Sequence, residues 1–149
     1  MKLQLAILAV LATAAAPAFA AGDAAKGEVT FKQCQTCHSV VDDTGKVLAG
    51  KGAKIGPNLY GVFGRPAGSY EGFKYGKDMI AAGAAGLVWD EAHFVEYAQG
   101  PSPFLKKYLN DTAAVGKMAF KVKDAATADD VYAYLVQFSP NAPAAAPAP

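Results

Sequence analysis

Cys34-Gln35-Thr36-Cys37-His38 is the stretch on which the reading of this chain turns. Two cysteines two residues apart, followed at once by histidine, form the C-x-x-C-H pattern of covalent haem attachment. On a helical turn that gap matches the spacing of the porphyrin vinyl groups, across which the thiols add as thioethers. His38 then lies beneath the iron, where its imidazole is placed as the proximal ligand. Other uses of these residues fit poorly. A zinc site takes about four ligands, and outside the motif the chain has no further cysteine and only His93 as a second histidine. A thioredoxin-type pair calls for a βαβ setting, and a structural disulfide would be odd at so short a spacing.

Downstream, residues 39–74 are rich in glycine and nearly without apolar periodicity. A stretch that long without structure is out of place in a compact domain, unless something other than polypeptide fills the core. A haem does so. Around it the sequence predicts short helices. Asp23 can cap one running to about Gln35, with Gly27 and Phe31 on one face. Asp90 can cap a second over 91–99, apolar through Phe94, Val95 and Ala98 and ended by Gly100-Pro101. Thr127 with Asp130 reads as a capping box that opens a last helix to about Phe138, striped by Val131, Tyr134, Leu135 and Phe138. Residues 103–109 and 75–82 read as shorter helices. Alternating β-branched runs are few, so no sheet is expected. The expectation is an all-α fold of short helices and long loops around one covalent haem.

Residues 1–20 have the layout of a cleaved signal peptide: Lys2, an apolar stretch from Leu3 to Ala16, and Ala18-Phe19-Ala20 as cleavage site. The alternative is a membrane anchor, but the run is rich in alanine and no charged stop-transfer segment follows. The expected destination is the periplasm, without stable membrane insertion after cleavage. Residues 21–139 suit a single domain, and 140–149 read as a flexible Pro/Ala tail. Cleavage leaves 13 of the 14 basic residues against 13 acidic ones, a balance that excludes a generally basic nucleic-acid binder. The lysines are nonetheless clustered. Lys106, Lys107, Lys117, Lys121 and Lys123 share their stretch with Asp111 as the only acid, and Lys46, Lys51 and Lys54 form a second group. Taken alone, such a run is a solvated face.

What fills the iron's other axial position decides the function. The candidates are His93, Met79 and Met118. His93 reads as an ordinary helix histidine and Met79 as a helix packing residue. Met118 sits in Val115-Gly116-Lys117-Met118-Ala119-Phe120, a loop ahead of the last helix that can fold over the distal face. His/Met ligation favours reduced iron and closes the coordination sphere, which suits an electron carrier rather than a catalyst.

From Gly22 to Phe138 the chain resembles the class I cytochromes c, and among them the bacterial cytochromes c2. The resemblance rests on an ordered set: Gly27 with Phe31, Cys34-Gln35-Thr36-Cys37-His38, Gly56-Pro57-Asn58-Leu59-Tyr60-Gly61, Phe63-Gly64-Arg65, Gly72-Phe73-Lys74-Tyr75, Leu87-Val88-Trp89, Lys117-Met118-Ala119-Phe120 and Tyr132-Ala133-Tyr134-Leu135. It implies the class I cytochrome c fold and several roles. The Pro57 carbonyl accepts from the far nitrogen of His38, which fixes the tautomer. Arg65, Tyr75 and Trp89 meet the haem propionates, carboxylates that must be paired when buried. Tyr97 aims its hydroxyl at the Met118 sulfur, Phe120 covers the edge near the methionine loop, and Gly27 and Phe31 pack on Tyr134. Two departures stand out. The stretch from Tyr97 to Met118 is longer than in mitochondrial members, and Gly116 stands where they carry a propionate-bonding Thr.

The resemblance further implies a monomeric carrier that takes electrons from a cytochrome bc complex and hands them to a photosynthetic reaction centre or a cytochrome oxidase. In that setting Lys106, Lys107, Lys117, Lys121 and Lys123 become a docking face for acidic partners. The rival readings are a haem peroxidase, which needs an open distal site, and a gas-binding haem protein. The latter usually carries its motif near the end of a four-helix bundle, whereas here it opens the mature chain.

Overall fold

A computed structural model describes residues 22–143; the expected signal segment 1–20 and residues 144–149 of the expected tail lie outside the described residues. Five α-helices carry the fold. The first, α1 (Ala24–Cys34), begins where the Asp23 carboxylate accepts from the amides of Ala25 and Lys26. The last, α5 (Ala125–Leu135), runs into a 3-10 turn over Val136–Phe138. These two helices cross at glycine: a Cβ on Gly27 would lie 1.8 Å from the Asp130 carbonyl oxygen and 2.8 Å from Tyr134 Cβ. Phe31 is fully buried beside that crossing, its ring 5.4 Å from Tyr134. Gly27, Phe31 and Tyr134 thus meet as the resemblance implies.

The other helices are α2 (Lys77–Ala84), α3 (Glu91–Gln99) and α4 (Pro101–Leu109). Asp90 caps α3 by accepting from the His93 amide. Gly100 closes α3 and opens α4 with Pro101 in its first turn, a position where a missing N–H costs nothing. Hence α4 starts two residues earlier than expected. Asn110 ends α4 in the left-handed conformation, φ 50°. The segment expected over 75–82 is shifted to 77–84, which leaves Tyr75 in the preceding loop.

Two expectations need correction. Thr127 is not the cap of α5: the Asp124 carboxylate accepts from the Thr127 amide at 2.8 Å, so the helix begins almost a turn earlier. There is also β structure. β1 (Val40–Val41) and β2 (Val47–Ala49) form an antiparallel hairpin with a register irregularity. Its turn is built by Asp42, whose Oδ1 accepts from Thr44 and Lys46, and by Gly45 at φ 85°. Strands of two and three residues are too short for alternation to show. Separately, an isolated bridge pairs Pro66 with Val88. Its flanking bonds, Trp89 N–H to Arg65 O at 3.1 Å and Gly64 N–H to Trp89 O at 2.8 Å, set Arg65 beside Trp89.

The core joins α1, α3 and α5 through Phe31, Leu135 and Val131 and through the ring contacts of Phe63 with Tyr132 (4.5 Å) and Phe94 (5.3 Å). The start of the expected tail belongs to this body: the Ala142 amide donates to the Ser139 carbonyl, and the Asn141 carbonyl lies against Gly64. Among the described residues no helix is long and apolar enough to cross a membrane.

Candidate haem site

Between the helices lies a cavity of about 560 Å³, and the cysteine motif forms part of its wall. Cys34 is the last residue of α1, and its carbonyl accepts from both Cys37 N–H (3.0 Å) and His38 N–H (2.9 Å). The helical turn is thereby continued, and both thiols and the imidazole reach one wall. Both cysteines are free. Burial pushes the Cys34 thiol up to about 11, with Cys37 adding to the rise. A redox-active C-x-x-C needs the opposite, a lowered thiol.

The Gly56 amide donates to the Cys37 carbonyl at 2.7 Å and draws residues 56–57 across the imidazole. A Cβ on Gly56 would fall 2.3 Å from His38 Cε1, so only glycine lets the backbone come this close. His38 Nδ1 lies 2.9 Å from the Pro57 carbonyl. A carbonyl can only accept, so Nδ1 carries the hydrogen and Nε2 keeps its lone pair. Burial lowers the His38 pKa, the Pro57 bond opposing it, so the ring is a neutral donor at ordinary pH.

Opposite charge is provided for on another part of the wall. Arg65 donates to the carbonyls of Tyr60 (3.1 Å) and Asn58 (2.9 Å), and its guanidinium lies over the Tyr70 ring. No carboxylate of the described residues pairs with it, and burial lowers its pKa. A half-buried cation facing a cavity without a counter-ion is suited to an acidic ligand. Asn58 fixes this corner: its amide side chain bonds Val41 N–H (2.9 Å) and Val41 O (2.7 Å). Trp89 and Tyr75 line the same cavity. Burial raises the Tyr75 pKa against the pull of Arg65. Burial pushes Tyr97 up to about 12, and Tyr97 stands 5.0 Å from Trp89 ring to ring. Both hydroxyls therefore remain protonated donors at neutral pH.

The cavity wall brings together Cys34, Cys37, His38, Pro57, Arg65, Tyr75, Trp89, Tyr97, Met118 and Phe120, every site residue named from the sequence apart from most of the lysines. Of these lysines only Lys117 lines it. Lys121 and Lys123 line a neighbouring groove together with Phe120, while Lys106 and Lys107 belong to the last turn of α4. Their partners differ as well. Lys107 Nζ is 2.7 Å from Glu96, Lys123 is 3.4 Å from Asp124, and Lys117 donates to the Lys74 carbonyl at 2.9 Å. Met79, read from the sequence as a packing residue, is buried on α2 and lines the same cavity, and the structure adds Ile55, 72 % exposed at its mouth. The sequence carries a signal for Ile55, an isolated apolar residue between Lys54 and Gly56. His93 faces elsewhere, against Phe104 and Tyr108.

An apolar cavity of this size, two thiols and an imidazole on one wall, a methionine loop and an unpaired guanidinium fit a haem with its propionates. Short helices around such a site define a class I c-type cytochrome. No family model matches the chain. Individual relatives do. Cytochrome c2 of Cereibacter sphaeroides is 55% identical over 140 residues, spanning 92% of this chain and 97% of that protein. Cytochrome c-551 of Roseobacter denitrificans is 47% identical over 139 residues, 93% of this chain and 97% of that protein. Among solved structures, cytochrome c2 from Rhodobacter sphaeroides superposes with TM-score 0.77 at 55% identity, covering 79% of this chain and 97% of that chain. Ferric cytochrome c-550 from Paracoccus versutus gives TM-score 0.75 at 45% identity over 80% and 99% of the two chains. The chain belongs to the cytochrome c2 family and is an electron-transfer protein carrying one covalent haem c.

Proposed function

We propose that this chain is exported to the periplasm, loses residues 1–20, and shuttles single electrons from a cytochrome bc complex to a photosynthetic reaction centre or a terminal oxidase. It acts as a monomer and as a carrier, not a catalyst. Cys34 and Cys37 would hold the haem as thioethers, and His38 and Met118 would ligate its iron. The observation that carries this reading is the fixed tautomer of His38: Pro57 engages Nδ1 and leaves Nε2 free, with Met118 on the wall of the same cavity.

When bound, haem supplies the one-electron couple of its iron. The protein supplies the rest. Gly56 and Pro57 orient the imidazole, and Arg65, Tyr75 and Trp89 offer a cation and protonated donors to the propionates. Tyr97, a protonated donor on the same cavity wall as Met118, would be the partner of its sulfur. With Met118 from the cavity wall as second ligand, the site would be closed to oxygen and peroxide, as a carrier requires and a peroxidase does not. Phe120, 39 % exposed, and Ile55 form the apolar rim at which a partner docks.

Two treatments test this. Acid acetone should leave the colour on the polypeptide, with an intact mass one haem above chain 21–149. Met118→Ala should abolish the weak long-wavelength sulfur-to-iron band of the oxidised protein and lower the potential. Met79→Leu and His93→Ala should leave both nearly unchanged. Loss of the band in Met79→Leu but not in Met118→Ala would reverse the ligand assignment.

A further inference from the structure

Asp78 is the only buried carboxylate among the described residues, 7 % exposed in the first turn of α2. Burial of a carboxylate is costly unless it is hydrogen-bonded. Lys77 offers little, its Nζ lying 4.0 Å away on a side chain 86 % exposed. The bond that Asp78 does make is to the methionine loop: Oδ2 accepts from the Val115 amide at 2.9 Å. The next amide, Gly116 N–H, donates to Ser102 Oγ at 3.0 Å, in the first turn of α4. Gly116 also packs on α4, since a Cβ there would lie 3.1 Å from Pro101 Cβ. Two consecutive amides are thus held by side chains from two helices that pack together, and Met118 follows two residues later.

We propose that Asp78 is a positioning residue for Met118: with Ser102 it latches residues 115–116 to α2 and α4, and so keeps the methionine at the cavity against displacement by small nitrogen bases. The proposal rests on Met118 being the distal ligand. Helix geometry favours the device, because an anion in a first turn is stabilised by the exposed amides there. A charge-assisted bond is also stronger than a neutral one. The loop needs such an anchor because residues 111–118 form no helix or strand.

The test uses the haem-loaded full chain. In Asp78→Ala, exchange of the Val115 and Gly116 amides should speed up by about tenfold to a hundredfold, the worth of one hydrogen bond to a charged group. Amides of α1 and α5 should keep their rates. Imidazole should bind the oxidised protein at least about tenfold more tightly, a factor equivalent to ~1.4 kcal/mol. Asp78→Asn keeps an acceptor oxygen but not the charge, and should bring both readouts to values between those of Asp78→Ala and the parent. Unchanged exchange in Asp78→Ala, or failure of Asp78→Asn to rescue it even in part, overturns the latch. The exchange readout does not depend on which atom binds iron. Met118→Ala judges the ligand reading separately, so failure of the one is told apart from failure of the other.

Discussion

His38 Nδ1 donates to the Pro57 carbonyl at 2.9 Å while Gly56, one residue earlier, leaves no room for a Cβ beside the same ring. Orientation and closeness of the imidazole thus come from two neighbouring residues. Gly56→Ala should push the ring off Pro57 or part the 56–57 segment from the Cys37 turn. Overpacking of this kind costs about 1–3 kcal/mol. Haem content per chain and the unfolding midpoint should both fall. A variant with full haem content and unchanged midpoint would show that the ring tolerates the methyl group.

The crossing of α1 and α5 is less forgiving still. At Gly27 the obstruction is backbone, the Asp130 carbonyl, and no rotamer change can relieve it. Gly27→Ala should lower stability by about 3 kcal/mol or more, read as a shift of the urea midpoint at constant slope. Gly86→Ala, where nothing lies within 4 Å, should not cost through packing, although its φ of 96° remains strained for a side chain. Equal packing losses at the two sites would count against the close approach.

Acid should loosen α5 through its cap. The bonds from Thr127, aided by Lys123, hold the Asp124 carboxyl below its usual 3.8. A carboxylate with a depressed folded value stabilises fully above its unfolded value and loses that contribution as pH falls through the folded one. The window therefore lies below about pH 4. Asp124→Asn keeps a good cap but cannot titrate, so its melting temperature should fall less steeply with acid below that point. Asp124→Ala should melt lower already at neutral pH. Parallel acid limbs for the parent and Asp124→Asn would remove Asp124 from the account.

Much of this was legible in the sequence because haem attachment is local: Cys34, Cys37 and His38 occupy one turn, and the glycine-rich stretch after them signals a core filled by something else. Asp23 and Asp90 announce their helices because capping, too, is local. The hairpin at 40–49 escapes because two- and three-residue strands carry no period. Thr127 misled because Asp124, three residues earlier, is the better acceptor. Asp78 and Ser102 escape for a different reason: their partners lie 37 and 14 residues away, and nothing in their own neighbourhoods marks them. The sequence order of the lysines likewise says nothing of Glu96, 11 residues from its partner Lys107.

That pair shapes the last prediction, which concerns docking. Lys106 and Lys121 have no carboxylate within 4.0 Å among the described residues, whereas Lys107 is paired with Glu96 and Lys123 with Asp124. Steering depends on the charge of the docking face within about a Debye length, whether or not an amine there is paired, so Lys→Glu at 106, 107, 121 or 123 should slow encounter with an acidic partner to a similar degree. It should also flatten the ionic-strength dependence. Contact in the bound complex is another matter, because a paired amine must leave its carboxylate to reach a partner. Neutralising Lys106 or Lys121 to Met should therefore weaken the bound complex more than Lys107→Met or Lys123→Met. Glu96→Gln should do the reverse of a lysine reversal. One unit charge at about 10 Å in water interacts by ~0.4 kcal/mol, so encounter at low salt should quicken by about twofold for each partner carboxylate within a Debye length. Stopped-flow electron transfer across a salt series measures all of these. Lys46→Glu, in the turn of the β1–β2 hairpin and on the wall of neither the cavity nor the groove, is the control for general charge; Lys26 does not serve, since it lines the groove with Lys121 and Lys123. If Lys46→Glu slows transfer as much as Lys121→Glu, or if Glu96→Gln leaves the low-salt rate unchanged, the lysine face does not steer the partner.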